Sequence, residues 1–275
     1  MSSTLFLVQV LNGFQLGVLL FLIAAGLTLV FGVMDFINLA HGVQYMLGAY
    51  LAVAFYGAFD NFFVALVLAL LAALAFGLLL EFLVFRHLYA RDHLDQVIAT
   101  FGIILFLNHA VRMVWGAAPL TLPVPEFFTG SIGLMDGLLY PVWRIVIIAA
   151  GLGVDIKRLF MIVFGFGTML AGFAGIMIAP IISVEPGMGT NILILAFVVI
   201  VIGGIGSIRG AFVAALLIGL VDTLGRSFSI DILRLFMAPS PARTVGPALA
   251  SMLIYVLMAV VLYVRPTGLF PVRGR

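Results

Sequence analysis

Long apolar runs alternate with short polar interruptions along the whole chain. A transmembrane helix needs about 20 apolar residues, and the runs predict about eight or nine such helices, at residues 5–33, 40–58, 62–85, 96–116, 140–154, 157–180, 190–206, 209–226 and 245–264. Polar interruptions separate these helices at residues 34–44, 86–95, 117–139, 183–189 and 227–244. The last interruption has room for a short interfacial or re-entrant helix.

The amino-acid composition is typical of an integral membrane protein. Hydrophobic residues make up 65% of the chain and charged residues 9%, and the mean hydropathy is +1.33. A soluble domain carries about 25% charged residues. We therefore predict an all-α integral membrane protein, a polytopic bundle that forms a single transmembrane domain over residues 1–275. Basic residues are few and scattered, so nucleic acid is not indicated as a partner, whereas membrane lipid is.

Arginine and lysine in short loops predict the orientation in the membrane. If the spans alternate, the larger basic group falls on one side and comprises Arg86, Arg91, Lys157, Arg158, Arg209, Arg265, Arg273 and Arg275. The smaller group, Arg112, Arg144, Arg226, Arg234 and Arg243, falls on the other side. We expect the larger group to be cytoplasmic, which places the C-terminus inside and the N-terminus outside.

The segment LTLVFGVMDFINLAHGVQYMLGAY (27–50) is apolar at both ends and polar in the middle. Backbone that leaves the helix within a bilayer must be buried in protein or line a cavity, and transporters build substrate sites from broken helices. We predict a broken or re-entrant polar segment near residues 34–44, with its helix end near mid-membrane. The candidates for the solute pathway are Asn38, His41, Gly42 and Gln44. A compatible interpretation is that Asn38 and His41 cap backbone groups at the break.

Two loops offer further candidates. Glu185 and Pro186 are predicted to face outward, as an outer gate or a docking surface for a delivery protein, although an ordinary Pro/Gly turn explains them as well. The segment IGGIGSIRG (202–210) has no strand-and-helix nucleotide unit around it, so a tight cytoplasmic reversal fits better than a phosphate loop.

Small and charged residues at helical spacing predict helix packing. Gly13 with Gly17, and the stripe Ala211, Ala215 and Gly219, allow close helix approach in lipid. Asp222 and Arg226 lie one turn apart, which predicts an ion pair within one helix.

The chain carries no pattern that is typical of an enzyme. It has no cysteine and no H-E-x-x-H motif, so neither a metal site nor a catalytic residue is predicted. A Walker A motif requires glycine before its lysine, but Ile156 precedes Lys157, the one lysine of the chain. We therefore predict no cofactor in this chain. If ATP powers the protein, another subunit binds and hydrolyses it.

Four segments carry a family resemblance: AAGLTLVFGVMDFINLAHGVQYMLGAY (24–50), GVDIKRLFMIVFGFGTMLAGFAGIM (153–177), VIGGIGSIRGAFVAALLIGL (201–220) and the tail VRPTGLF (264–270). Together they resemble the membrane subunits of branched-chain amino acid ABC importers, the LivH/LivM permease family, and LivH more than LivM. The resemblance covers nearly the whole chain.

The resemblance implies a permease subunit of the bacterial inner membrane that works by alternating access. It implies as partners a second permease subunit, either LivM-like or identical, two cytoplasmic ATPase subunits, and an extracytoplasmic solute-binding protein. Relatives also carry urea or short amides, which leaves the solute open. The cytoplasmic coupling region is expected at Asp155, Lys157 and Arg158.

One departure from the family concerns a basic cytoplasmic segment, the expected ATPase docking site. In the family it precedes the G-V-D-I-K-R run, whereas here Leu152 is followed directly by Gly153. Either the natural protein has a segment that this sequence omits, or the protein lacks it.

Three rival functions stay open. An ATP-independent channel or secondary carrier would need no ATPase. An intramembrane enzyme would be built around His41. A purely structural membrane subunit would explain the glycine stripes but not the polar break.

Overall fold

The computed structural model describes residues 3–34, 36–135, 138–152, 163–236 and 238–270. Over these residues the protein is mostly helical, as predicted. Three residues of the expected coupling region, Asp155, Lys157 and Arg158, lie outside the described residues, as does Asp35 of the polar segment.

The described residues form nine α-helices, and each corresponds to one predicted span. They are α1 (Ser3–Met34), α2 (His41–Phe59), α3 (Phe62–Leu83), α4 (His93–Trp115), α5 (Val142–Leu152), α6 (Val163–Ile178), α7 (Met188–Gly203), α8 (Ile208–Leu233) and α9 (Pro239–Val264). Six of them, α1 to α4 with α8 and α9, are long and apolar enough to cross a membrane, and the other three are shorter. The prediction of a polytopic all-α membrane protein is confirmed.

Two interruptions differ from expectation. The polar interruption at residues 117–139 contributes to an antiparallel hairpin of β1 (Ser131–Met135) and β2 (Leu138–Pro141), for which no strand was predicted. The interruption at 227–244, which had room for a short separate helix, is instead mostly occupied by extensions of the two flanking helices. α8 continues to Leu233, and α9 begins at Pro239, a residue whose fixed φ suits the first turn of a helix.

The chain divides into two compact units. The first comprises residues 1–21, 126–154 and 198–275, and the second comprises residues 22–125 and 155–197. The expectation of a single transmembrane domain over 1–275 stays a prediction.

In the first unit, α1 packs closely against α8 through small residues. A Cβ atom added to Gly13 would lie 2.9 Å from the Cα atom of Leu220, and one added to Gly17 would lie 2.7 Å from that of Leu216. Gly219 faces the same two glycines from the α8 side. The predicted role of these small residues in close helix packing is therefore confirmed.

The first unit also contains the glycine-rich reversal after α7. Gly204 and Gly206 have φ angles of 101° and 82°, values that favour glycine. The backbone N–H of Leu269 donates to the carbonyl of Ile202 at 2.8 Å, and that of Phe270 donates to Gly203 at 3.0 Å. The tail thus satisfies carbonyl groups that the end of α7 leaves without helical partners, and two of the segments that carry the family resemblance are in contact.

The second unit is assembled around α2. Gly48 lies directly on Gly172 of α6, and Gly175 lies on the backbone of Tyr45, so close that a Cβ atom at either glycine would overlap backbone atoms. Gly77 of α3 is equally close to the Thr168 side chain. Close approach of this kind gives packing energy in lipid, where no hydrophobic force drives helices together.

The predicted break between α1 and α2 is present. α1 ends at Met34 and α2 begins at His41. Two side chains of α4 bind the backbone between them. The Gln96 Oε1 atom accepts from the N–H of Ile37 at 3.0 Å, and the Thr100 hydroxyl accepts from that of Leu39 at 3.3 Å. Both side chains are buried, so α4 replaces the hydrogen bonds that a continuous helix would have made.

The break lies beside the connection between α3 and α4. The Gln96 Nε2 atom donates to the carbonyls of Leu88 and Arg91 in that connection. The Phe36 ring packs edge-on against Phe85 and Tyr89, with centroids 5.3 and 5.5 Å away. The break is therefore bonded beside the ends of α3 and α4, and the expectation that this helix end lies near mid-membrane stays a prediction.

Two glycines of α2, one tightly packed and one with open space beside it, allow a paired test of the glycine contacts. Gly48→Ala should lower the free energy of unfolding by about 1–3 kcal/mol, because the added methyl group has no room beside Gly172. Gly57→Ala in the same helix should be neutral or slightly stabilising, since nothing lies within 4 Å of its new Cβ. Thermal unfolding of the detergent-solubilised protein measures both. Equal Tm values for the two variants would contradict the packing account.

The bonds of Gln96 generate a second prediction. Gln96→Leu should remove the acceptor for the Ile37 N–H and destabilise the segment 36–40 by about 1–3 kcal/mol. Hydrogen exchange measured by mass spectrometry should then be faster in that segment. Thr100→Ser, which keeps the hydroxyl, serves as the control and should leave the exchange rate unchanged. Unaltered exchange in Gln96→Leu would show that the break does not depend on this side chain.

Candidate functional site

Three polar side chains, Asn38, His41 and Gln44, form what we call the break cluster. Asn38 lies in the non-helical segment, and the other two lie three residues apart in the first turn of α2, so they share one face of the helix. Their exposed fractions are 1%, 0% and 1%. The structure thus brings the predicted polar residues together, fully inside the protein.

His41 is held against α1. Its Nε2 atom lies 3.1 Å from the carbonyl oxygen of Ile23, so the tautomer with the proton on Nε2 donates to this carbonyl. Gly26, one turn further along α1, makes room for the ring, since a Cβ atom there would lie 3.0 Å from the imidazole Cε1 atom. Helix α1 therefore fixes the orientation of the imidazole.

Polar atoms of the break cluster lack hydrogen-bond partners outside the cluster in the part of the chain that the structure describes. The amide of Asn38 has no partner, and Nδ1 of His41 and the amide of Gln44 have none beyond their own pair. A buried polar atom without a partner costs about 1–3 kcal/mol, so such atoms call for an explanation beyond packing. The set includes both donors and acceptors and carries no formal charge, which suits water or the polar end of a small solute.

The capping role predicted for Asn38 belongs to other residues. Its side chain bonds no backbone group among the described residues, whereas Gln96 and Thr100 bond two of them. Sequence reasoning missed these two residues. The available signal was a pair of polar residues at i and i+4 in the first turns of an otherwise apolar span.

Gly42 has a packing contact. A Cβ atom there would overlap the carbonyl oxygen of Gly189 and lie 2.6 Å from the Cβ atom of Leu193. The glycine therefore lets α2 touch α7. Its assignment to the solute pathway stays a prediction.

Glu185 and Pro186 lie in the loop before α7, just after Val184 pairs with Leu120 through two backbone hydrogen bonds. Glu185 is exposed and lines a cavity of about 420 Å³. The cavity adjoins the break cluster, because Tyr45, which lines the cavity, follows Gln44 in α2, and Gly42 packs on Gly189 at the start of α7.

Two other ionisable groups have simple partners. Asp222 accepts from the Nε atom of Arg226 at 2.8 Å, which confirms the predicted ion pair. The Tyr89 hydroxyl donates to Glu81 at 3.3 Å. Burial, and after it the Glu81 carboxylate, raises the pKa of Tyr89. Among the described residues, no group of three His, Cys, Asp or Glu side chains is arranged to hold a metal ion.

Known proteins resemble the chain over most of its length. The high-affinity branched-chain amino acid transport system permease protein LivH of Escherichia coli K12 is 27% identical over 267 residues, which cover 81% of this chain and 87% of LivH. The high-affinity branched-chain amino acid transport system permease protein BraD of Pseudomonas aeruginosa is 27% identical in an alignment of 309 positions that covers 96% of this chain and 95% of BraD. No solved structure matches the chain.

The BraD alignment of 309 positions exceeds the 275 residues of this chain. BraD therefore has positions without a counterpart here. A family model described as the permease component of the branched-chain amino acid transport system matches residues 9–135 and 146–262. The several long apolar helices agree with a multi-pass inner-membrane permease. Because the family model matches far more than half of its residues, the chain belongs to the family of branched-chain amino acid transport system permease components.

Proposed function

We propose that this chain is the permease subunit of an ATP-driven importer for branched-chain or related amino acids, with a solute pathway that passes the break cluster. The observation that carries the proposal is the buried set of polar atoms on Asn38, His41 and Gln44 that have no hydrogen-bond partner outside the cluster in the described part of the chain. Polar groups inside a membrane protein are costly and mark solute pathways. A structural subunit would gain stability from apolar residues at these positions.

The partner set follows from the family and from the residues. The chain lacks the glycine–lysine step of a Walker A motif, so two cytoplasmic ATPase subunits bind and hydrolyse the ATP. A second permease subunit, LivM-like or identical, completes the membrane part, and an extracytoplasmic solute-binding protein delivers the solute. Asp155, Lys157 and Arg158 are the proposed region of coupling to the ATPases.

The orientation follows from the basic residues. With the C-terminus cytoplasmic, the connection between α3 and α4 faces the cytoplasm, and the break cluster lies toward that end of the pathway. The loop of Glu185 and Pro186 then faces outward, as part of the outer gate. Alternating access would expose these two ends in turn, driven by ATP binding to the partner subunits.

Substitutions in the break cluster test the pathway. His41→Ala and Asn38→Ala should each lower ATP-driven leucine uptake by about tenfold in the assembled transporter, because each removes a polar group of the pathway. His87→Ala, which removes an exposed histidine, is the control and should keep wild-type uptake. Tracer uptake into proteoliposomes measures the rates, and size-exclusion chromatography checks assembly. Unchanged uptake in both cluster variants would show that the site assignment is wrong.

The energy source separates the importer from a channel or secondary carrier. Proteoliposomes that contain the complete transporter, the solute-binding protein and ATP should accumulate leucine, and those that contain this chain alone should not. Omission of ATP should abolish accumulation, because no nucleotide motif is present in the chain. Leucine uptake by the isolated chain without ATP would support the channel or carrier instead. Parallel assays with urea and acetamide test the amide alternative.

A further inference from the structure

The cavity of about 420 Å³ beside Glu185, in the second unit, combines charge with an apolar wall. Its volume falls in the range of small-molecule sites, about 300–1,000 Å³. It lies between α2, the loop before α7 and the first two turns of α7. The apolar part of its lining comes from Ile182, Ile192 and Leu195.

Polar side chains form the rest of the cavity lining. It includes the Glu185 carboxylate, the Asn191 amide and Tyr45, a residue that is only 3% exposed. The lining holds one acidic side chain and no arginine or lysine. A carboxylate in this setting favours a cationic hydrogen-bond donor such as an ammonium group.

The charge of Glu185 is available for such a donor. The carboxylate forms no ion pair with any residue that the structure describes. A cation at Glu185 would therefore meet a carboxylate that no other described residue neutralises.

A ligand whose ammonium group binds Glu185 would place its negatively charged group near the start of α7. This helix of 16 residues begins at Met188, which also lines the cavity. Gly187 turns the chain into the helix with φ 95°, and its N–H is directed to the Met46 sulfur at 3.4 Å. The N–H groups of Met188 and Thr190 are bonded to the carbonyls of Glu185 and Gly187, so a carboxylate here would meet the Asn191 amide within the positive end of the helix dipole.

These features together define one chemical class of ligand. We propose that the cavity is a binding site for a zwitterionic amino acid with an aliphatic side chain, in which Glu185 binds the ammonium group. Asn191 and the start of α7 receive the carboxylate, and the wall of Ile182, Ile192 and Leu195 receives the side chain. This inference rests on the proposed function and deepens it, because it names the residue that distinguishes amino acids from uncharged amides.

Direct binding to the transporter tests the assignment. The membrane complex of this chain with its permease and ATPase partners is placed in nanodiscs without the solute-binding protein, and tritiated leucine is the probe. Isocaproate, which is leucine without its amino group, should compete at least about tenfold more weakly than leucine, and leucinamide should still compete. This competition needs no variant, so it does not depend on how a mutant folds.

Variants of Glu185 complete the test. Glu185→Gln should weaken leucine binding by about tenfold or more and remove the discrimination against isocaproate, because the amide carries no charge. Glu185→Asp should retain most of both. Glu126→Gln removes an exposed acid outside the cavity lining and should behave as wild type.

Three results would overturn the inference. One is equal competition by leucine and isocaproate on the wild type. Another is unchanged leucine affinity in the Glu185→Gln variant. This result would count even if the variant bound the solute-binding protein more weakly. The third is no leucine binding by a wild-type complex that transports leucine with ATP. Wild-type proteoliposomes that take up no branched-chain amino acid would instead contradict the proposed function.

Discussion

The hydrogen bonds from α4 to the broken segment are the constraint on which the second unit depends. A chain that leaves the helix in an apolar environment exposes N–H groups that water cannot satisfy. Gln96 and Thr100 supply acceptors to Ile37 and Leu39, and the Gln96 amide then donates to the connection before α4. One buried glutamine thus couples the break to the end of two spans. It also frees α2 to begin at His41, which places the polar side chains of the break cluster inside the protein.

Contacts at glycine residues bring the helix backbones together within each unit. In the second unit, Gly48 and Gly172 bring α2 and α6 to backbone contact, and Gly42 does the same with Gly189 of α7. In the first unit, Gly13 and Gly17 meet α8. Close contact without side chains gives dispersion energy in lipid but leaves no space for solute. Open space occurs instead where longer polar and apolar side chains meet, as it does beside Glu185.

The two polar regions of the second unit have different chemistry. The break cluster has neutral donors and acceptors that are fully buried. The cavity beside Glu185 has a free carboxylate, a helix start and an apolar wall. In the proposed pathway, the cavity recognises the charged ends of an aliphatic amino acid, and the break cluster lets the molecule pass without holding it by ion pairs. The two regions adjoin along α2, where Tyr45 of the cavity follows Gln44 of the break cluster.

The sequence by itself determined the membrane class, the nine helical segments, the break before His41 and the family. These features depend on the length of each hydrophobic segment and on motifs of consecutive residues, and both can be read directly from the linear sequence. The ion pair of Asp222 and Arg226 and the use of Gly13 and Gly17 for close helix packing were also predictable, since each depends on helical spacing; the partner helix α8 was not. Only the tertiary structure decided that Gln96 and Thr100 cap the break, that the tail satisfies the carbonyls of Ile202 and Gly203, and that Gly42 packs on Gly189. Those partners lie many residues apart, and no local pattern encodes which backbone group a buried amide or a bare glycine will meet.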